Sequence, residues 1–238
     1  MAVLLSKLPG DAPEIFATVQ GEGPSVGEPA VFVRLSGCNL KCGFCDTPYT
    51  WDWTRFDAKK ESIELPVDEI ASRVLAMRAG AQTAVITGGE PMLQQKELAE
   101  LAARLHASRM RIEIETNGTI VPDAKLAEFV DQWNVSPKLE GSGNLPQARE
   151  KPDALSWFAR EPKAYFKLVV AAPADVEEAA ALVERHGVPA SRVILMPEGT
   201  NAATLVERSR WLAPAAVARG FRLGSRLHVM LWGDTRGR

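Results

Sequence analysis

The chain has 238 residues, 46% of them apolar and 24% charged, with a formal net charge of −2. That length fits one large α/β domain or two small ones and allows a sizeable core. The near-neutral balance gives no global argument for nucleic acid or a membrane surface as partner, no window reads as a bilayer span, and the opening MAVLLSKLPGDAP has too short an apolar run for an export signal.

Short apolar, β-branched runs predict strands at 30–35, 83–87, 111–116, 133–136, 164–170, 192–196 and 226–232. Helical patterns fall between them at 67–78, 94–107, 123–130, 153–159, 174–186 and 202–219. Asp175 is expected to help open the fifth of these helices and Gly187 to close it. The segment 138–152 reads as a Gly- and Pro-containing loop, expected to be mobile. Strand and helix alternate throughout, which predicts a mainly parallel sheet with helices outside. Seven strands are fewer than a closed eight-stranded barrel needs. The expected fold is therefore α/β, a partial, splayed (β/α) barrel forming one domain over 1–238.

The unusual residues share a position in this pattern. The cysteine loop, GGEP (88–91), TNG (116–118), SPK (136–138) and PEG (197–199) each follow the end of an expected strand. In a parallel barrel those ends lie on one rim, where chemistry is built.

The only cysteines are Cys38, Cys42 and Cys45, spaced Cys-x3-Cys-x2-Cys. The absence of an export signal suggests a cytoplasmic, reducing setting, in which clustered thiols favour metal chemistry over disulfides. Thiolates suit zinc, copper(I) or iron–sulfur clusters. A closed zinc site needs a fourth ligand, and His106, His186 and His228 are all remote from the loop in sequence. A 4Fe–4S cubane on three cysteines leaves one iron open for a small molecule. The alternatives are a zinc-binding scaffold and three ordinary buried cysteines.

Arg34 stands in an otherwise apolar run. Pointing inward it needs an anion, such as a substrate carboxylate held by two parallel bonds; pointing outward it makes an ion pair. Asp46 and Thr47 follow Cys45 directly and offer oxygens that suit Mg2+. Glu113 and Glu115 share one strand face, lining either the lumen or solvent. Trp51 and Trp53 either cover the cysteine loop or line a partner surface.

The cysteine spacing, with aromatic Phe44 before the last cysteine, resembles the signature of the radical S-adenosylmethionine (SAM) superfamily, and GGEP resembles its second motif. Within it, EIFATVQGEGPSVGEPAVFVRLSGCNLKCGFCDT (14–47) resembles the N-terminus of the 7-carboxy-7-deazaguanine synthase family, and ETNG, SPK and HVMLWG continue the likeness along most of the chain. The resemblance implies a carbon–nitrogen lyase of queuosine and deazapurine biosynthesis. Such an enzyme converts 6-carboxy-5,6,7,8-tetrahydropterin to 7-carboxy-7-deazaguanine with loss of ammonia, through reductive SAM cleavage, hydrogen abstraction by a 5′-deoxyadenosyl radical and ring contraction.

The resemblance also assigns roles. Cys38, Cys42 and Cys45 hold a 4Fe–4S cluster and Thr47 holds Mg2+. Phe44, Asp46, Gly89, Glu90, Asn117, Ser136, Pro137 and Lys138 contact SAM. Val19, Gln20, Gly21 and Glu22 of an N-terminal turn, with Arg34, Thr87 and His228, contact the pterin. No protein acid or base is assigned. A flavodoxin or ferredoxin is the expected electron donor and a homodimer the expected assembly, with no nucleic acid or membrane partner. Met196-Pro197-Glu198 departs from a Gln-Pro pair found in some members, and the basic tail to Arg238 is a second departure. A glycyl-radical activating enzyme shares the cysteines and a GGEP-like motif, but it needs neither the QGEG turn nor Arg34.

Overall fold

Parallel strands covered by helices on their outer face are apolar over most of their length, and runs of this kind form the centre of the sheet. The computed structural model describes residues 1–238. In chain order its elements are β1 (Ala2–Ser6), β2 (Ile15–Val19), β3 (Pro29–Leu35), α1 (Ala58–Glu61), β4 (Ser62–Pro66), α2 (Val67–Met77), β5 (Thr83–Gly88), α3 (Gln95–Ala107), β6 (Arg111–Thr116), α4 (Ala124–Phe129), β7 (Gln132–Val135), α5 (Pro146–Arg149), α6 (Pro152–Arg160), β8 (Ala164–Val170), α7 (Pro173–His186), β9 (Val193–Pro197), α8 (Ala202–Ala218), β10 (Arg222–Leu223) and α9 (Leu227–Trp232).

All strands join one ten-stranded sheet in the order β10-β9-β8-β7-β6-β5-β3-β1-β4, with β2 paired to β3 off that path. From β3 through β10 every neighbouring pair is parallel. β1, β2 and β4 add antiparallel pairs at the other side. The sheet ends at β10 and β4 without closing, which is the splayed (β/α) barrel the strand count predicts.

The connecting helices bury one stripe each. In α3, Leu98, Leu101, Ala102 and Leu105 recur at helical spacing and are all buried. Gly187 closes α7 in the left-handed conformation, φ 66°. Asp175 accepts the backbone N–H groups of Ala171 (2.7 Å) and Ala172 (3.0 Å) at the helix start. Beneath β7, Trp133 packs edge-on against Trp157 (5.9 Å) and Phe158 (5.5 Å) of α6. Trp133 and Phe158 are wholly buried; a buried side chain of this kind contributes about 1.5–3 kcal/mol. No helix is long and apolar enough to cross a membrane.

Three sequence expectations change. The run 226–232 is not a strand: residues 227–232 form α9, with only Val229 buried. An apolar run this short is ambiguous between strand and helix, and tertiary contacts decide it. Leu227 N–H bonds Gly21 O (2.9 Å), so the segment crosses the N-terminal turn instead of extending the sheet. The segment 138–152 is also not a bare loop. It holds the short helical turn Glu140–Ser142 and α5. Finally, β1, β2, β4 and β10 go unread in the sequence: the first three make antiparallel pairs outside the βα repeat, and β10 has only two residues.

Candidate active site

The rim formed by the C-terminal ends of β3 and β5–β9 opens into one cavity that is bordered by both the cysteine loop and the N-terminal turn. Two glycines let its loops meet. Gly88 has φ 139°, and a Cβ there would lie 2.2 Å from Leu35 O. At Gly89 a Cβ would lie 2.0 Å from Gly37 O. Only glycine permits this approach, which is sealed by Gly89 N–H to Leu35 O (3.1 Å) and Glu90 N–H to Gly37 O (2.8 Å). The GGEP segment is thereby locked against the cysteine loop.

Cys38, Cys42 and Cys45 all border the cavity. Each sulfur accepts one N–H: Cys38 from Leu40 N (3.4 Å), Cys42 from Asn144 Nδ2 (3.3 Å) and Cys45 from Trp51 Nε1 (3.3 Å). Burial pushes the Cys38 thiol up to about 12 and raises Cys42 as well, so loading a metal must displace protons. No group of three or more His, Cys, Asp or Glu side chains is placed to hold a single ion. Three thiolates on one zinc would have to converge, whereas a cubane presents a separate iron to each thiolate. The donor set, its spread around one cavity and its N–H partners therefore fit the cluster. His106 and His186 do not line the cavity; His186 instead bonds Glu150 (2.8 Å).

Of the residues assigned to SAM by resemblance, Phe44, Asp46, Gly89, Asn117, Ser136 and Lys138 line the cavity; Glu90 and Pro137 do not. Lys138 Nζ donates to Ser136 Oγ (2.8 Å), leaving an ammonium beside the sulfurs. Asn117 is partly committed: its Nδ2 bonds Asn39 Oδ1 (2.8 Å) and its Oδ1 accepts from Thr119, which leaves one amide hydrogen for a ligand. Glu90, assigned to SAM by the resemblance, turns its side chain into the fold. Glu90 is fully buried, and its carboxylate accepts from Met92 N (3.0 Å), Thr116 Oγ1 (2.7 Å) and Asn117 N (2.7 Å). Its burial outweighs these bonds and raises its pKa. It fastens GGEP to the ETNG turn. Glu90→Ala is expected to cost about 1–3 kcal/mol for each donor left unpaired, seen as a lower urea midpoint; an unchanged midpoint would refute this role.

Val19, Gln20, Gly21, Glu22, Arg34, Thr87 and His228 line the same cavity. The QGEG turn is the β2–β3 hairpin connection, closed by Gln20 N–H to Glu28 O and Gly27 N–H to Gln20 O (both 2.8 Å). Gln20 is almost fully buried and its Nε2 has no partner, so it is a donor waiting for an acceptor. His228 sits in α9, not on a strand, and packs so closely that a Cβ at Gly21 would lie 2.1 Å from its Nδ1. Burial lowers the His228 pKa, against the pull of Glu22. Arg34 already has a protein anion: its Nε donates to fully buried Glu14 (2.7 Å). That bond supplies the ion pair and leaves both terminal guanidinium nitrogens without a protein hydrogen bond at the cavity wall. Thr47 lines the cavity with its Oγ1 3.7 Å from Cys45 Sγ.

Several site residues lie outside the motifs. Buried Lys167 of β8 bridges Glu22 (2.9 Å) and Glu115 (3.1 Å). Thr87 Oγ1 donates to Glu115 (2.8 Å). Glu115 thus lines the cavity, while Glu113 is fully buried among Ser25, Arg111, Gln132 and Asn134. Arg226 joins three loops, donating to Glu22 (3.0 Å), Gly199 O (2.8 Å) and Asp46. Asp46 is therefore paired to arginine. Met196 and Glu198 line the wall, as does Arg238, which brings the basic tail to the site. Trp51 faces the sulfurs, whereas Trp53 is exposed and does not.

Known proteins share both the sequence and the fold. The profile of the radical SAM superfamily matches residues 32–212. The chain is 43% identical over 226 residues to a 7-carboxy-7-deazaguanine synthase of Pyrobaculum aerophilum, covering 94% of this chain and 96% of the relative. It is 36% identical to one of Hyperthermus butylicus, covering 92% and 91%. The crystal structure of QueE from Escherichia coli superimposes with TM-score 0.72 at 26% identity, covering 96% of this chain and 95% of that one. Streptococcus suis SuiB, at 15% identity and TM-score 0.55 over 78% and 46%, shares the fold alone.

Proposed function

The chain belongs to the radical SAM superfamily and, within it, to the 7-carboxy-7-deazaguanine synthase family, and from that premise we propose how its residues divide the work. It is a carbon–nitrogen lyase of the queuosine pathway that acts on a small molecule, needs a reductant, and uses a 4Fe–4S cluster and SAM. When bound and reduced, the cluster and SAM together supply the hydrogen-abstracting radical. The rest of the task falls to the protein: hold the cluster, orient two small molecules, and exclude water. The reaction is conversion of 6-carboxy-5,6,7,8-tetrahydropterin to 7-carboxy-7-deazaguanine with loss of ammonia. We take residues 1–238 to act as one catalytic domain with the QGEG turn as its substrate-binding element.

The observation that carries this reading is one shared cavity lined by two chemically different sets of residues. The cysteines, with Phe44, Gly89, Asn117, Ser136 and Lys138, hold the cluster and SAM; Lys138 and Ser136 suit a carboxylate. The second set suits a carboxylated pterin. Arg34 offers two free nitrogens to the carboxylate, and the unpartnered Gln20 amide donates to a ring carbonyl. Glu22 and Glu115 accept from ring N–H groups, and Thr87, His228 and the Val19–Gly21 backbone complete the fit. A glycyl-radical activating enzyme has no use for that second set.

Thr47 is the proposed protein ligand of Mg2+, with substrate and water supplying the others, since Mg2+ keeps several non-protein ligands. The proposed donor is a flavodoxin or ferredoxin, the proposed state a homodimer and the proposed location the cytoplasm. The test is anaerobic cluster reconstitution followed by SAM, reductant, Mg2+ and the carboxytetrahydropterin. Formation of the deazaguanine acid is expected; SAM cleavage without that product would overturn the substrate assignment.

Arg34→Lys isolates the carboxylate contact. Lysine keeps a positive charge for Glu14 but loses the planar fork. Losing charge-assisted bonds worth about 1.5–3 kcal/mol should raise KM for the pterin roughly ten- to a hundredfold. SAM affinity, read by equilibrium binding, should hold. Equal loss of both would make Arg34 purely structural.

A further inference from the structure

The N–H groups that meet the three sulfurs come from three sources. Cys38 is served by the backbone of its own loop, through Leu40. Cys45 is served by the Trp51 indole, six residues on. Cys42 is served by the Asn144 amide from a segment 102 residues away. Asn144 grips the loop at two points, because its Oδ1 also accepts Lys41 N–H (2.9 Å). Ser142 O accepts Gly43 N–H beside it (3.0 Å), and Asn144 Nδ2 is steadied by Ser142 Oγ (3.2 Å). The segment after β7 therefore docks across the middle cysteine and aims one N–H at its sulfur.

An N–H donated to a ligand sulfur stabilises the more negative, reduced form of a cluster more than the oxidised form, so it raises the reduction potential. Side-chain donors can be removed by substitution without altering the backbone. We propose that Asn144 and Trp51 are positioning residues that set the reduction potential of the 4Fe–4S cluster, each through a single N–H bond to a cysteine sulfur. The inference rests on the assignment of the cluster to the three cysteines. It goes further by naming which residues outside the cysteine motif decide how strong a reductant the enzyme needs.

The test uses full-length protein reconstituted anaerobically, without SAM or pterin, as wild type, Trp51→Phe, Asn144→Leu and the double variant. Iron and sulfide per chain are measured first. Fewer than about four irons per wild-type chain would sink the cluster reading itself, whatever the potentials of the variants. The midpoint potential is then taken by redox titration, monitored by the electron paramagnetic resonance of the reduced cluster. Trp51→Phe keeps an aromatic ring but loses the indole N–H. Each single variant is expected to be harder to reduce by about tenfold in equilibrium constant, a shift of about 59 mV for one electron, with the double variant shifted further. Cluster content should match wild type in Trp51→Phe. A strong chemical reductant should restore SAM cleavage in the variants, while a weaker donor should not. If Asn144→Leu fails to load iron, Trp51→Phe decides alone. Wild-type potential in Trp51→Phe, or in both loaded variants, overturns the proposal.

Discussion

Alanine at Cys38, Cys42 or Cys45 is expected to abolish reductive cleavage of SAM. The chain has no other cysteine, so no second thiolate can take over the lost iron. Disturbing an outer-shell partner of a metal site costs about 10–100-fold; removing a ligand must cost more. The fold should survive. All three thiols are only half-buried and the core lies elsewhere, so thermal stability of the metal-free variants should stay within about 1 kcal/mol of wild type. The readouts are iron per chain, the brown absorbance of the cluster, and 5′-deoxyadenosine formed from SAM. A variant that folds, loses one thiol and still makes 5′-deoxyadenosine would sink the assignment. The three variants should also fail alike, since each removes one of three equivalent supports.

How much of the site is legible in the sequence depends on distance along the chain. The cysteines, GGEP, ETNG and SPK are short local patterns, and the βα repeat places each at a strand end, so their gathering at one rim comes from period and topology alone. What the sequence hides is pairing across long separations. Nothing local marks Lys167 as the partner of Glu22, 145 residues away, or Arg226 as that of Asp46, 180 residues away. Glu90 shows the reverse case. It sits in a motif and carries a charge, so it reads as a ligand contact, yet its bonds go to its own fold. Arg34 is intermediate: its Nε makes the protein ion pair with Glu14, while its terminal nitrogens stay without a protein hydrogen bond. His228 is found in the cavity for a reason the pattern does not contain, since α9 crosses the hairpin turn where a strand is expected.

Lys167→Met is expected to destabilise the protein by about 3–5 kcal/mol and to weaken pterin binding strongly, because it strips the shared cation from two carboxylates at the cavity wall. Lys167 is 3% exposed and holds Glu22 and Glu115 at once. Burial favours a neutral Lys167, but Glu115 and Glu22 reverse this and lift its pKa above the usual range. Burial likewise favours a neutral Glu22, but Lys167, Arg226 and His228 hold its carboxyl well below the usual range. Each shift ties stability to pH with its own sign. The lowered Glu22 pKa contributes stability that is complete above its ordinary 4.5 and lost as pH falls toward the folded value. The raised Lys167 pKa contributes stability that is complete below its ordinary 10.5 and lost as pH rises toward the folded value. Between those limits wild type should keep the full contribution of the pair. In Lys167→Met, Glu22 keeps only Arg226 as a bonded cation, so its folded pKa should rise and its acid-side loss, still starting near 4.5, should be smaller and end at a higher pH. Urea denaturation at neutral and acid pH, with pterin binding by calorimetry, reads both effects. The double variant Lys167→Met/Glu115→Gln should recover part of the loss, because it removes one stranded carboxylate along with the cation. Unchanged stability in the single variant, or no recovery in the double, would mean that the two carboxylates are held by something other than Lys167.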